Sequence, residues 1–155
     1  MIQYSWEQKS IKMQTAIVLP AVALVLLTAI VWVRLYVERI GEMRTRKINP
    51  QSLATAASAN QTLQRVRASD NFRNLCEMPV LFYALCAVLA SAQFVAPFFV
   101  VGAWVYVALR CVHSFIHLTY NRVSHRFIVY ALSAVVLFVL WGTLGVQRLL
   151  LLATV

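Results

Sequence analysis

Between Arg110 and Tyr130 the chain carries Arg110, His113, His117, Asn121, Arg122, His125, Arg126 and Tyr130, including all three histidines and three of the fourteen basic residues. Upstream, Arg73, Asn74 and Glu77 add a cation, an amide and a carboxylate. Guanidinium groups fork onto carboxylates, and a glutamate can receive an ammonium group. Together these types suit a polar ligand with anionic and cationic ends, such as a small zwitterionic peptide. An arginine beside a thiol would also favour the thiolate, whose unperturbed pKa in cysteine is about 8.5. The surrounding sequence is apolar, and ionisable groups at or within a membrane span mark functional sites by default. The alternative is that these groups knit helices together or anchor to lipid headgroups.

The elements that position them follow from hydropathy. The chain has 155 residues, 61% hydrophobic and only 12% charged, against about a quarter charged in soluble domains. Its mean hydropathy is +0.73, so the class is integral membrane protein. Four apolar runs cover Thr15 to Tyr36, Met78 to Ala92, Val95 to Leu109 and Phe127 to Val146. A bilayer core needs about 20 helical residues. The first and last runs meet that alone, and the middle two meet it with their polar ends. The first run is too long for a signal peptide and lacks small-residue cleavage logic, so it reads as a retained helix. The expected architecture is all-α, a four-transmembrane-helix bundle forming one domain over residues 1–155. Its helices fall at roughly 12–40, 62–92, 96–120 and 125–151, with a cytoplasmic loop at about 41–61.

The net charge of +9 is distributed by topology rather than as a nucleic-acid surface. Arg39, Arg44, Arg46, Lys47, Arg65 and Arg67 lie in the first connection, and Arg122 and Arg126 in the third. The connection from Ser91 to Pro97 carries none. The positive-inside rule puts the first and third connections in the cytoplasm and both termini outside, with lipid phosphates as further partners. Cys76, Cys86 and Cys111 lie in or beside apolar runs without a CxxC and read as packing residues. Tyr4 and Trp6 suit headgroup depth on a polar lead. Phe94, Phe98, Phe99, Trp104 and Tyr106 suit an interfacial belt and packing, and Trp32 and Trp141 are deep enough to line a lipid cleft, with core packing the preferred reading.

Gly41 offers a stop for the first helix, and Pro79 should kink the second just past Glu77. Arg73, Asn74 and Glu77 share about 100° of helical arc. Arg110, His113, His117 and Asn121 share one stripe at spacings of three and four. Arg126 would point about 160° away on an unbroken helix, so the chain must turn between Asn121 and Ser124, with Ser124 as a candidate N-cap. Three helices then deliver these groups to one depth. Glu77 is equally open to a salt bridge with Arg73 or Arg110.

Glutathione fits such a site, although charge pattern alone does not name it. Arg73-Asn74-x-x-Glu77 followed by Pro79, then Arg110-x-x-His113, then Arg126-x-x-x-Tyr130, together resemble the MAPEG family of eicosanoid and glutathione metabolism. The basic Gly41-Glu-Met-Arg44-Thr-Arg46-Lys47 looks like its microsomal prostaglandin E synthase and glutathione transferase branches. The resemblance covers nearly the whole chain. It implies a homotrimer with glutathione bound between subunits near the cytoplasmic face, held by Arg73, Asn74, Glu77, Arg110, His113, His117 and Tyr130, with Arg44 in contact. It also implies that Arg126 stabilises the thiolate, and that a lipophilic second substrate, an electrophile or hydroperoxide, enters a cleft between helices 1 and 4 of adjacent subunits. Two positions depart. His117 stands where the family often has tyrosine, and Phe127 where serine follows the catalytic arginine of the prostaglandin branch.

Two other readings arise. Some members keep the fold without transferase chemistry, so a non-catalytic lipid-binding or accessory protein is the alternative. His113 and His117, four apart, with Glu77 as third ligand, would resemble a metal site. Three nearby arginines would repel the cation and a fourth ligand is missing, so no metal is expected.

Overall fold

The computed structural model describes residues 2–92 and 95–154, with side chains described from Ile11 onward. The expectations for Tyr4 and Trp6 concern side chains outside the described set, and Phe94 lies outside the described residues. The chain is 87% helical, with no strand among the described residues. Its helices are α1 (Ile2–Arg46), α2 (Ala56–Thr62), α3 (Arg67–Glu77), α4 (Pro79–Ala90), α5 (Pro97–Leu118) and α6 (Val123–Ala153), with a 3-10 turn over Pro50–Leu53. Four helical stretches are long and apolar enough to cross a membrane: Ile11–Arg46, Arg67–Ala90, Pro97–Leu118 and Val123–Ala153. The protein is an all-α, four-span membrane bundle.

The first helix does not stop at Gly41. It runs on to Arg46, and Lys47, at φ 52°, turns the chain out. Ile48 N–H donates to the Met43 carbonyl at 3.0 Å, closing the helix end as a Schellman turn does. A helical glycine costs about 1 kcal/mol, and a buried carboxylate at the next residue offsets it, as described below. The polar lead is continuous with α1.

The connection at 47–66 is more structured than a loop. Asn49 caps the 3-10 turn by accepting from Gln51 N–H. Thr55 and Ser58 form a reciprocal capping box that starts α2. The second span therefore begins at Arg67, not near 62. Pro79 ends α3 at Glu77 and opens α4, with Met78 keeping helical dihedrals between them. The turn before α6 comes at residues 119–122. Asn121 adopts φ 49°, the left-handed region that asparagine tolerates. Arg122, not Ser124, is the extended residue before α6, and it makes no side-chain cap.

The core forms where α5 packs against α1, α3 and α6, with α4 laid against α1 and contributing Phe82, Leu85, Cys86 and Leu89. On α1, Ile17, Leu24 and Val31 recur every seven residues and are fully buried, while Val18, Val25 and Ile30 face outward. This is the one-sided burial of a span that meets lipid or other subunits elsewhere. Phe99 and Tyr106 belong to the core rather than an interfacial belt; Tyr106 stacks on Phe82 at 4.5 Å. Trp32 is the reverse case, 48% exposed and edge-on to Tyr36. Trp141 spans to α4, its indole N–H donating to the Leu81 carbonyl at 3.1 Å. Cys86 is buried, and Cys76 and Cys111 are exposed.

α5 and α6 approach closely at Gly102, where an added Cβ would lie 2.6 Å from Leu140 Cδ2. Leu140 is itself only 1% exposed. Alanine at Gly102 gains helix propensity of about 1 kcal/mol and loses a similar amount in crowding, so stability should barely move. Valine adds bulk that the packed Leu140 cannot yield to, and should cost about 1–3 kcal/mol. Thermal unfolding of both variants in detergent checks this, and a Gly102→Val protein as stable as wild type would contradict it.

Candidate functional site

The two basic connections meet at one end of the bundle. Arg67 at the start of α3 donates from Nη1 to the Thr119 carbonyl at 2.7 Å, tying the linker to the turn after α5. At the opposite end Gln14 Nε2 donates to the Ala92 carbonyl. The clustered charges therefore share one end with the residues singled out for chemistry.

Arg110, His113 and His117 form the inner stripe of α5, at 0%, 2% and 1% exposure. Arg110 Nη2 donates to the Asn74 carbonyl at 2.8 Å. Its guanidinium carbon lies 5.5 Å from the centre of the Tyr130 ring, a cation–π distance. Arg110 Nε and Nη1 are buried without a hydrogen-bond partner among the described residues. Buried N–H groups are nearly always satisfied, and a desolvated guanidinium is expensive to leave so. Two unused donors at this depth mark an anion-receptive spot.

His113 and His117 contact each other and the start of α6. The rings lie 5.8 Å apart, and His113 is 5.7 Å from Tyr130. His113 Nδ1 lies 3.2 Å from the Arg126 carbonyl. A carbonyl only accepts, so that nitrogen carries the proton. Arg126 Nη1 donates to His117 Nε2 and to Asn121 Oδ1, both at 2.9 Å. A guanidinium only donates, so His117 accepts at Nε2 and is a neutral imidazole protonated at Nδ1.

α3 supplies the outer edge. Asn74 is half-buried, while Arg73 and Glu77 are exposed. Glu77 makes no ion pair among the described residues; the two ion pairs found there are Arg34 with Glu38 and Arg46 with Glu42. The salt bridge open to Glu77 in the sequence is thus not formed within the chain. Arg44 is exposed on the last turn of α1, about 160° around the helix from Glu42.

The fold thus gathers Asn74, Arg110, His113, Arg126 and Tyr130, with Arg73 and Glu77 alongside and Arg44 apart. One expectation changes and one residue gains a partner. His117, on the same buried stripe as Arg110 and His113, holds Arg126 within the chain. Asn121 belongs to the turn, not the α5 stripe. Among the described residues no group of three His, Cys, Asp or Glu side chains is placed to hold a metal ion.

Three residues went unmarked in the sequence. Ser114 Oγ donates to Asn71 Oδ1 at 3.2 Å, a buried link between α5 and α3. Glu42, 4% exposed, accepts from the backbone N–H groups of Gln64 at 2.8 Å and Arg65 at 2.9 Å, and from Arg46 Nη1 at 2.5 Å. The signal for Glu42 was its position four residues before Arg46, in a chain with only five acidic residues. An apolar groove of about 480 Å³ runs beside α1, lined by Val25, Thr28, Ala29, Trp32, Phe72 and Tyr83.

No curated protein and no solved structure matches the chain. The family model described as MAPEG family matches residues 17–146. That match takes in the two inner spans, most of the first and last, and every residue of the polar cluster, and the chain belongs to the MAPEG family.

Proposed function

We propose that the protein is a glutathione-dependent membrane transferase or peroxidase acting on lipophilic electrophiles or hydroperoxides. The MAPEG family includes glutathione transferases and peroxidases as well as non-catalytic members. The observation that carries the catalytic reading is Arg110: a fully buried guanidinium with Nε and Nη1 unused, beneath the exposed edge of α3. Those donors match a glutathione carboxylate. Glu77, unpaired among the described residues, matches the ammonium group. Arg73, Asn74 and Tyr130 complete the polar wall, and His113 fixes the Arg126 main chain. Arg126 is the residue assigned to the thiolate. Bound glutathione would supply a sulfur nucleophile that forms a carbon–sulfur bond as the leaving group departs with its electron pair.

Arg44 points away from its own linker, so its contact with ligand would come from a neighbouring subunit of a homotrimer. The excess of basic residues at this end, larger than that of Lys9, Lys12 and Arg148 toward the other, supports a site open to the cytoplasm. The groove beside α1 gives a lipophilic substrate an apolar surface.

A non-catalytic, lipid-binding role is the second reading. It is favoured by Phe127, 68% exposed where the prostaglandin branch has serine, and by the same groove. Calorimetry of glutathione with the purified protein in detergent separates the two. Saturable binding that Glu77→Gln weakens about tenfold, the scale of one charge-assisted bond, supports the catalytic reading. A folded protein that binds no glutathione at millimolar concentration favours the lipid-binding one.

A further inference from the structure

The proposed thiolate chemistry depends on where the Arg126 guanidinium points, and one of its nitrogens is held on two sides. Nη1 donates to His117 Nε2 and Asn121 Oδ1, each at 2.9 Å. Both acceptors are built for the task. His117 is 1% exposed on the inner stripe of α5, and one helical turn away His113 Nδ1 meets the Arg126 carbonyl. Main chain and side chain of Arg126 are thus gripped by successive histidines of one helix. Asn121 owes its place to the left-handed turn at φ 49°. Its own N–H donates to the Ile116 carbonyl at 2.8 Å, locking the turn onto the end of α5.

We infer that His117 and Asn121 are positioning residues that pre-orient Arg126, leaving its Nε and Nη2 as the donors for the ligand's sulfur. This rests on the glutathione reading above. An arginine has several rotatable bonds, and an electrostatic stabiliser contributes most when its donors are already aimed and need no reorganisation. Neutral His117 does this without competing for charge: it accepts one N–H and leaves the guanidinium charge unneutralised. A carboxylate in its place would pair with Arg126 and diminish its pull on a thiolate. The position where the family often has tyrosine is thus reassigned here from touching ligand to aiming the residue that does.

The test uses the full-length protein in detergent, with glutathione and a chloronitrobenzene as probes. The ultraviolet absorbance of bound thiolate reports the ionised sulfur, and chloride-releasing conjugation reports turnover. His117→Phe keeps the ring volume and removes the acceptor, whereas His117→Gln restores an acceptor oxygen. Asn121→Gly removes the second acceptor at a backbone position that glycine adopts freely. The expected result is a thiolate band in wild type that His117→Phe largely loses. Its kcat should fall about tenfold to a hundredfold, within the range for an electrostatic donor, while KM for glutathione changes much less. His117→Gln should recover most of both, and Asn121→Gly should show a smaller loss in the same direction.

Thiolate and kcat unchanged in both His117→Phe and Asn121→Gly would overturn the inference and leave the glutathione reading standing. So would wild type that binds glutathione without forming thiolate. Wild type that binds no glutathione would overturn the parent reading, and this inference with it.

Discussion

Replacing Arg110 with methionine is expected to abolish most glutathione affinity while leaving the protein as stable as before, or more so. The two effects have opposite signs because they come from one cost. Arg110 is wholly buried, yet among the described residues it makes a single hydrogen bond, to the Asn74 carbonyl, and one aromatic contact with Tyr130. Burying a cation costs several kcal/mol, and replacement by an apolar chain of similar length is often neutral or stabilising. Methionine fills the space with a flexible thioether. A bound carboxylate, however, would lose charge-assisted hydrogen bonds worth about 1.5–3 kcal/mol each. Loss of about 3 kcal/mol corresponds to roughly a hundredfold weaker binding. Calorimetry and thermal unfolding on the same preparation give both quantities. Unfolding well below wild type with affinity retained would make Arg110 a structural strut and remove the main support for the ligand site.

That contrast also marks where the sequence stops being informative. Run lengths identify four spans because a bilayer sets the number of apolar residues. Pro79 breaks the second span because it has no N–H to give. Both are local facts. Helical spacing likewise puts Arg110, His113 and His117 on one stripe, but it is silent on which way the stripe faces. Here it faces inward, and His117 meets Arg126. Gly41 reads as a stop because glycine is a poor helix former, but the contact that sustains the helix past it reaches Gln64, 22 residues ahead of Glu42. Trp32 suits a lipid cleft or, by preference, the core because it is large and apolar. In a membrane protein an outward face can be equally apolar, so hydropathy does not separate inside from outside. A subunit interface is illegible in the sequence for the same reason: a lipid-facing surface and a subunit-facing surface have similar compositions.

Glu42→Ala should give the largest loss of stability away from the ligand cluster, about 3 kcal/mol. The carboxylate takes three donors: Gln64 N–H, Arg65 N–H and Arg46 Nη1. Hydrogen bonds to a charged group contribute about 1.5–3 kcal/mol each, and the donors left behind bear a desolvation penalty of their own. Water reaching the released linker would recover part of that, which is why the expected loss is well below the sum. Arg46 is pulled in as well, since its Nη1 also donates to the Thr62 carbonyl at 2.8 Å, so the end of α2 and the start of the next segment are held together. Glu42→Gln should fall between wild type and alanine. Its amide oxygen can accept one backbone N–H, but its NH₂ would point a donor at the other. Thermal unfolding should rank the three proteins in that order, and proteolysis should cut Glu42→Ala within residues 47–66 while sparing wild type. Cleavage there at the wild-type rate would mean that the capping box at Thr55 and Ser58 holds the linker without the carboxylate. The consequence for the site runs through Arg67, which sits two residues beyond the clamp and ties α3 to Thr119. Loosening the linker should therefore loosen the edge that carries Arg73, Asn74 and Glu77, and weaken glutathione binding without touching any residue that meets the ligand.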